Sequence, residues 1–441
     1  MRLTAWLLLA AFSALACGAA TRPHYGGTLR VEIRAAPASP DPAAPDAAPL
    51  RRLIFDTLVR LDAAATPQPA LALSWQHDAA YRKWQFRLRP NVKFHDGSLL
   101  TPAAVAASLE AALPGMTVTA TADGVAIRAD RPLPNLLLDL ADNGFVFTRG
   151  AAGEWLGSGP FRVAAFEPGR HATLAANTDY WGGRPFLVAI EIQFGRSLRD
   201  QSADFELGKA DVVEASPPRG RTLWSSADAV LMALVFAADT PRRSVDERLR
   251  DALAFSIDRA TMHLVILQKH GEVSASLLPQ WLSGYAFLFS SAPDVSRARL
   301  LAAGLPRTLT LSYDPAMRAA RALAERIAVN ARDAGLTLQV SPENPQADMR
   351  LAELRIRWLD PEQALIALAA DLNLHAPELA APPTSLYEAE HLLLMDKRVI
   401  PLFHLPVVYA ASDAVRVFSG PPVTRLGDWD FSGVWLTPPA P

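Results

Sequence analysis

Strand-like and helix-like hydrophobic patterns alternate along nearly the whole chain, and this interleaving limits its fold most strongly. The alternating segments TLRVEIRA (28–35) and WQFRLR (84–89) predict half-buried strands. A helical pattern over 317–335 runs directly into the strand-like segment LTLQV (336–340). Because strands and helices that alternate in this way are typical of α/β architecture, the sequence predicts an α/β fold.

Length and charge indicate how many domains the chain forms and which partners it lacks. A chain of 441 residues is too long for one hydrophobic core, so at least two domains are expected. No low-complexity linker separates them, although residues 37–49 form a Pro/Ala-rich loop. The 43 basic and 45 acidic residues give a net charge of −2. This balance lacks the electrostatic footprint of a nucleic-acid-binding protein, and no nucleic-acid partner is expected.

Two segments carry local signals for a capped helix and a hairpin. In TPAAVAASLEAAL (101–113), Thr101 is the expected N-cap and Pro102 occupies the first helical position. In TVTATADGVAIRA (117–129), the pair Asp123-Gly124 predicts the turn between two short strands.

The segment SVDERLRDALAFSIDR (244–259) predicts a second capped helix. Ser244 and Glu247 have the spacing of a capping box. Four apolar residues at four-residue spacing are expected to face the core: Val245, Leu249, Leu253 and Ile257.

The first sixteen residues have the layout of a secretory signal peptide. Arg2 is followed by the apolar run LTAWLLLAAFSALA, which ends in the small-x-small sequence Ala14-Leu15-Ala16. The run is too short for a membrane-spanning helix of ~20 residues. We therefore predict a signal peptide over residues 1–16 and an extracytoplasmic location.

Cys17 is the only cysteine, and it directly follows this segment. SALAC (13–17) resembles the bacterial lipoprotein signal, although Ala14 stands where that pattern usually has Leu. Cys17 would then be a lipid anchor; the alternative is an ordinary signal peptide with a cysteine at its cleavage zone. The absence of any other cysteine favours the anchor and means that disulfides do not hold the fold.

The sequence contains no recognisable motif of catalytic or metal-binding residues. The nine histidines include no His-x-x-x-His pair, and His263 and His270 are too far apart along one helix to chelate one ion alone. Ser158 in GSGPF (157–161) precedes a strand rather than opening a helix, unlike a nucleophile elbow. No phosphate-binding loop is present. The sequence therefore predicts no enzyme, no metal site and no cofactor, and only an acidic pair across a cleft would favour a hydrolase.

Four stretches together resemble the bacterial extracellular solute-binding proteins of family 5, the substrate receptors of peptide and nickel ABC importers. They are LRPNVKFHDGSLLTPAAVAASLE (88–110), GSGPFRVAAFEPGRHATLAANTDYWGGRPFL (157–187), VDERLRDALAFSIDRATM (245–262) and DVSRARLLAAGLP (294–306). Four matches in order make this resemblance specific. Most of these residues are expected to build the scaffold, and Trp181 is expected to be a packing anchor.

The resemblance implies a two-lobed periplasmic-binding-protein type II fold with a two-strand hinge. Lobe one would comprise residues 26–235 and the return segment 408–441, and lobe two residues 236–407. The crossings would be the strands at 231–239 and 400–412.

The resemblance also implies a function. The chain would be the substrate-binding component of an ABC importer, holding a peptide-like solute between its lobes and delivering it to a permease and ATPase complex. It would act as a monomer in the periplasm, touching the membrane only through Cys17. Two alternatives stay open: a receptor-fold protein with a sensory or interaction role, and a binder of nickel chelate, haem or sugar.

The candidate ligand-binding residues lie in RIRWLDPEQ (355–363). Peptide-binding members carry Asp-x-x-Asp-Pro here, and the first Asp meets the ligand's ammonium group. This chain keeps Trp358 and Asp360 but has Arg357 at the first position. Since a guanidinium repels an ammonium, the ligand is expected to present an anionic or uncharged group there. The chain resembles a shortened member of the family, with segments missing after residue 113 and around 366–386. Alternatively, therefore, Asp360 substitutes for the missing acid, these missing segments shift the alignment, or Arg357 is merely solvated.

Overall fold

The computed structural model describes most of the chain after residue 21. The described residues are 22–42, 44–62, 64–141, 147, 155–214, 222–239, 244–285, 287–305, 308–375 and 384–437. The predicted signal peptide and Cys17 lie outside them.

The described strands are short except for two. In chain order they are β1 (Thr28–Glu32), β2 (Val59–Leu61), β3 (Pro67–Pro69), β4 (Ala72–His77), β5 (Lys83–Leu88), β6 (Thr117–Ala120), β7 (Gly124–Arg128), β8 (Phe161–Glu167), β9 (His171–Ala176), β10 (Ala189–Gln193), β11 (Val212–Val213), β12 (Thr222–Phe236), β13 (Glu272–Val273), β14 (Thr308–Tyr313), β15 (Thr337–Pro342), β16 (Met349–Arg355), β17 (Val399–Ala411), β18 (Val415–Val417) and β19 (Val434–Leu436).

The described α-helices are mostly two to four turns long. They are α1 (Arg51–Ile54), α2 (Pro102–Ala112), α3 (Leu136–Ala141), α4 (Leu198–Glu206), α5 (Glu247–Ser256), α6 (Arg259–Val265), α7 (Gln280–Ser283), α8 (Val295–Leu301), α9 (Ala320–Asp333), α10 (Pro361–Asp371) and α11 (Leu386–Leu394).

One large mixed sheet connects the two halves of the molecule. Its order is β15-β14-β16-β12-β17-β11-β1-β10-β9-β8, with β13 also paired to β17. The long strands β12 and β17 run antiparallel and are shared by both halves. At one end β17 pairs with β11, and at the other end β12 pairs with β16. The strand expected at 400–412 is thus β17, whereas the strand expected at 231–239 starts earlier, at Thr222.

Separate hydrophobic cores lie along this sheet. One core packs on the half that contains β1 and includes Val31, Phe161 and Trp429. A second core packs on the half that contains β14 and includes Leu253 and Ile327. The expected two-lobed organisation explains this separation, while the boundaries at residues 235 and 407 stay predictions.

A further core forms where a small sheet packs on α2. The sheet has the order β4-β5-β7-β6, and Trp84, Phe86 and Ile127 are buried between its strands and the helix. Below, we call this unit, built from β4 to β7, α2 and α3, the small domain. The predicted hairpin at Asp123-Gly124 is confirmed by the pairing of β6 with β7. The predicted cap of α2 is also confirmed, because Thr101 Oγ1 accepts a hydrogen bond from the Ala104 amide.

The predicted capping box of α5 is wrong. The helix begins at Glu247, and its N-cap is Asp246, whose carboxylate accepts from the Arg248 amide at 2.8 Å. Ser244 lies two residues earlier and hydrogen-bonds Asp239 instead. A carboxylate is a charge-assisted acceptor at the positive end of the helix, so Asp246 takes the capping position. The predicted core face is confirmed, because Val245, Leu249, Leu253 and Ile257 are all buried.

Candidate functional site

Arg357, the first candidate residue, forms an ion pair with a residue 14 positions later in the chain. Its guanidinium donates to the Asp371 carboxylate at 2.8 Å, and both side chains are partly exposed. Asp371 is the last residue of α10, the helix that starts four residues after Arg357. The positive charge of Arg357 is therefore partly compensated by a surface ion pair.

Trp358 lies between two cores. Its half-buried ring packs against the core of the small domain. It also packs against a cluster formed by β12, β16, α10 and α11, which includes Leu231 and Leu365. Trp358 therefore stands at the contact between the small domain and the cluster formed by β12, β16, α10 and α11.

Asp360 links the same two halves through a hydrogen bond. It is 6% exposed, and its Oδ1 caps α10 by accepting from the Gln363 amide at 2.9 Å. Its Oδ2 accepts from Asn135 Nδ2 at 2.7 Å. Asn135 immediately precedes α3 of the small domain. Both carboxylate oxygens of Asp360 are thus occupied.

Asp139 of α3 completes an acidic pair at this contact. Burial and, next, the charge of Asp360 raise the pKa of Asp139 to about 7, against the opposing charge of Arg131. Asp139 Oδ1 is buried and has no hydrogen-bond partner in the described part of the chain. This arrangement favours the protonated form of Asp139.

A cavity of about 570 Å³ opens beside this contact, within the usual size range of ligand pockets. Its walls come from the β2–β3 hairpin, the first part of β12 at residues 225–227, the segment 420–430 and Leu359. Leu359 belongs to the predicted segment, so this segment reaches the cavity wall. Its neighbours Trp358 and Asp360 hold that wall against the small domain. We call this space the interlobe cavity.

Charged side chains of both signs line the interlobe cavity. They are Arg52, Arg60, Asp62, Arg425, Asp428 and Asp430. None of them is among the residues singled out by the sequence. No local pattern marks them, because they come from segments that meet only in the folded chain.

The buried carboxyl group of Asp56 is a second feature that the sequence analysis missed. It accepts hydrogen bonds from Ser158 Oγ at 2.9 Å, Tyr180 Oη at 3.2 Å and Trp181 Nε1 at 2.8 Å. Burial raises the pKa of Asp56 to about 6, while these hydrogen bonds oppose the shift. A signal was present, because Asp56 is the single acid in the apolar run LIFDTLV (53–59). The contact also supports the expectation that Trp181 is a packing anchor.

The glycines around Ser158 allow the chain to pass close to α1. A Cβ atom at Gly157 would lie 1.9 Å from the Ile54 carbonyl oxygen, and one at Gly159 would lie 2.6 Å from the Ile54 carbonyl carbon. Only glycine fits such a close backbone approach. These two glycines therefore place Ser158 against Asp56.

The described ranges contain neither a metal-binding cluster nor a membrane-spanning helix. Among these residues, no group of three or more His, Cys, Asp or Glu side chains is arranged to hold a metal ion. No helix within the same ranges is long and apolar enough to cross a membrane.

Solved structures share this architecture. A dipeptide-binding protein from Pseudoalteromonas sp. SM9913 in complex with Met-Leu superposes with a TM-score of 0.75 at 15% identity, covering 93% of this chain and 100% of that one. The Escherichia coli murein tripeptide-binding protein MppA gives 0.76 at 18% identity, covering 94% and 99%. MoaA from A. tumefacien R10, in complex with mannopinic acid, gives 0.76 at 21% identity, covering 94% and 100%. The fold is therefore that of the two-lobed type II periplasmic binding proteins, as predicted.

The sequence comparison defines the family. The model for "Bacterial extracellular solute-binding proteins, family 5 Middle" matches residues 66–373, which is more than half of the chain. The chain belongs to this family, as its motifs predicted, and the family consists of extracellular solute-binding proteins.

Two curated relatives match over about half of the chain or less. The nickel-binding protein NikA of Staphylococcus aureus is 24% identical over 212 residues, 43% of each chain. The probable D,D-dipeptide-binding periplasmic protein DdpA of Escherichia coli K12 is 24% identical over 251 residues, 49% of this chain and 48% of that one. The chain thus matches less than half the length of each of these relatives.

Proposed function

We propose that this protein is the substrate-binding component of an ABC importer. It encloses a peptide-like solute between its lobes and delivers it to a membrane permease with its ATPase. The observation that carries the proposal is the interlobe cavity of about 570 Å³ in a chain of this family. The proposal assigns no catalysis to the protein and needs no cofactor.

Closure of the lobes provides the mechanism. The bond from Asn135 to Asp360 and the packing of Trp358 join the small domain to the other half of the molecule. We assign these contacts to the closed form. A solute that contacts both walls of the interlobe cavity stabilises this form over the open one, and the closed form docks on the permease.

The choice of a peptide-like solute draws on relatives. Structures of similar fold hold the dipeptide Met-Leu and mannopinic acid, and one curated relative is named as a D,D-dipeptide-binding protein. The relative NikA is named as nickel-binding, so a nickel chelate is the second candidate. Arg357, Trp358 and Asp360 remain the proposed ligand-binding residues. Leu359, which lies among them in the sequence, lines the cavity.

We further propose the lobe boundaries and the cellular location given by the sequence. Lobe one comprises residues 26–235 and 408–441, and lobe two residues 236–407. The signal peptide over residues 1–16 directs the protein, as a monomer, to the periplasm, and acylation of Cys17 anchors it. Mass spectrometry of the protein from cells tests this step. An acylated Cys17 at the N-terminus is the expected result, and an intact Met1 would overturn the export proposal.

A thermal-shift screen tests the binding function. The protein is heated with defined pools of di- and tripeptides, nickel–histidine chelates and sugar–amino-acid conjugates. A solute present at about 100 times its Kd raises the free energy of unfolding by about 2.7 kcal/mol. Leu359→Arg, which places a large cation in the interlobe cavity, should abolish the shift, whereas Leu207→Arg at an exposed position should keep it. A screen in which no pool stabilises the protein contradicts the proposal.

A further inference from the structure

Aromatic side chains from three separate segments meet on the surface of the half that contains β1. The ring centroids of Tyr25 and Phe186 lie 5.1 Å apart, and those of Phe186 and Phe418 lie 5.6 Å apart. Tyr25 is 57% exposed and Phe418 is 63% exposed. We call these three residues the aromatic patch. Since exposed apolar side chains are normally scattered singly, a cluster of this kind indicates an interaction surface.

Backbone hydrogen bonds fix the segments of the aromatic patch to the folded chain. The Gly26 amide donates to the Phe186 carbonyl at 2.8 Å. The Phe418 amide donates to the Gly433 carbonyl, also at 2.8 Å. The positions of the rings are therefore set by the packed half of the molecule and not by a free end.

Each of the three segments also carries an arginine just before its ring. No aspartate or glutamate lies within these segments, which are RPHY (22–25), RPF (184–186) and RVF (416–418). Arg22, Arg184 and Arg416 are all exposed. The guanidinium carbon of Arg184 lies 5.1 Å from the ring centroid of Tyr25. The segments of the aromatic patch thus carry three positive charges in a chain whose net charge is −2.

The aromatic patch lies close in sequence to the proposed lipid anchor. Tyr25 follows Cys17 by eight residues. A fully extended stretch of this length spans at most about 29 Å. An acylated Cys17 would therefore keep Tyr25 within about 29 Å of the lipid headgroups.

We propose that the aromatic patch rests on a membrane surface that contains anionic lipid. Aromatic rings favour the boundary between headgroups and acyl chains, and basic side chains are attracted to anionic headgroups. The inference rests on the proposed extracytoplasmic location and on the anchor at Cys17. It adds a contact made by the folded chain, whereas the sequence predicted contact through Cys17 only. This contact would determine which side of lobe one faces the membrane.

A second copy of the chain fits the aromatic patch less well than a membrane does. In a symmetric dimer the same surface patch meets itself. The arginines of one copy would then face the same arginines of the other, and like charges repel. An anionic lipid surface instead complements these charges.

Vesicle sedimentation tests the contact without the anchor. The chain from Cys17 onwards, with Cys17 alkylated, is mixed with vesicles of phosphatidylcholine alone or of phosphatidylcholine and phosphatidylglycerol in equal parts. We expect it to bind the anionic vesicles, and to bind them less as salt is raised. Arg22→Gln, Arg184→Gln and Arg416→Gln should each lower the partition coefficient about fivefold, because each removes one basic residue from the anionic surface.

Matched variants separate the patch from the rest of the surface. Arg199→Gln, at an exposed position of α4, should bind the vesicles as the unmodified protein does. Tyr25→Ser and Phe418→Ser remove apolar contact and should weaken binding. Leu207→Ser, at an exposed position outside the three segments, should not. The melting temperature of each variant shows whether it is folded.

A tethered form of the chain tests how the protein sits on the membrane. Cys17 is the only cysteine, so a maleimide lipid attaches the chain to vesicles at that position, whether or not cells acylate it. Hydroxyl-radical footprinting read by mass spectrometry then measures the exposure of side chains. Oxidation of Tyr25 and Phe418 should fall several-fold on anionic vesicles relative to the free chain. Tyr387 on α11, which is 44% exposed, should be oxidised equally in both states.

The outcomes separate this inference from the proposals on which it rests. Equal binding to neutral and anionic vesicles, or unchanged oxidation of Tyr25 and Phe418 in the tethered chain, overturns the membrane contact while solute binding and export stand. Protection of both rings without vesicles, increasing with protein concentration, also overturns it and shows self-association. Protection of both rings in the tethered chain, when cells leave Cys17 unacylated, supports the contact and overturns only the native anchor.

Discussion

Asn135 Nδ2 donates a hydrogen bond to Asp360 Oδ2 at 2.7 Å, across 225 residues of sequence. The donor precedes α3 of the small domain, and the acceptor is the N-cap of α10. One carboxylate therefore starts a helix on one side of the molecule and holds the small domain on the other. Leu359, next to Asp360, lines the interlobe cavity. We therefore expect a weaker bond between Asn135 and Asp360 to make closure of the lobes less favourable.

Asn135→Ala should shift the protein toward an open form. The variant removes the donor but leaves the cap of α10 intact, because Asp360 Oδ1 accepts from Gln363 independently. Loss of a hydrogen bond to a charged group costs about 1.5–3 kcal/mol, which this contact contributes only in the closed form. Small-angle X-ray scattering should show a larger radius of gyration. Gln76→Ala, which removes an exposed side-chain hydrogen bond donated to Gln85, is the control and should leave the radius unchanged.

Asp139 should make the stability of the protein fall as the pH rises. Its pKa is raised to about 7 in the folded chain, against about 3.9 in an unfolded one. The folded state therefore favours the protonated form. This contribution to stability is fully present below pH ~4 and is lost as the pH rises through about 7. The groups that face Asp139 are Asp360, Glu362 and Arg131.

Urea unfolding at pH 5 and pH 8 measures this effect. Asp139→Asn should lose less stability between the two pH values than the unmodified protein does. Other carboxyl groups also titrate in this range, because burial raises the pKa of Asp56 and Asp228 to about 6 and that of Glu390 to about 7. The comparison is therefore between the two proteins rather than with a flat profile. Identical pH dependence would show that Asp139 does not titrate as described.

The cap of α5 predicts different effects for two neighbouring substitutions. Asp246→Ala should lower the free energy of unfolding by about 1 kcal/mol, because it removes the acceptor for the first-turn amide. Ser244→Ala, outside the helix and exposed, should change it by less than about 0.5 kcal/mol. Chemical denaturation resolves the two. The reverse order would restore the capping box that the structure replaces.

Leu253→Ala should lower the free energy of unfolding more than loss of the α5 cap does. The side chain is fully buried in the core that α5 shares with α9. Its truncation should cost about 2–5 kcal/mol in urea unfolding, through lost burial and the cavity left behind. A cost below that of Asp246→Ala would contradict the packing of this helix face.

Gly157→Ala should destabilise the contact between the GSGPF segment and α1. The new Cβ would meet the Ile54 carbonyl oxygen at 1.9 Å, and a backbone atom cannot move aside as a flexible side chain can. Overpacking of this kind costs about 1–3 kcal/mol or more. Thermal unfolding measures the loss. Ala164→Ser, at an exposed position of the following strand β8, is the control and should have little effect. An unchanged melting temperature for Gly157→Ala would refute the close approach.

Local sequence patterns were sufficient for the α/β class, for several strands and helices, and for the family. Thr101 caps α2 because its side chain reaches an amide only three residues away, and the face of α5 follows from a period of about 3.6 residues per turn. These interactions act over a few residues, so the sequence shows them directly. Two nearby side chains, Ser244 and Asp246, can each accept a hydrogen bond from a first-turn amide of α5. The sequence pattern alone predicted the wrong one as the cap.

Tertiary structure alone decided what surrounds the cavity. Arg357 stood out by its charge, yet its ion pair with Asp371 occupies it. Arg60 and Arg425 carry no local signal, but folding brings both to one cavity and stacks each on a tryptophan. The partners of a side chain depend on which distant segments fold against it. For that reason the sequence determined the scaffold, whereas only the packed chain determined which charged side chains line the cavity.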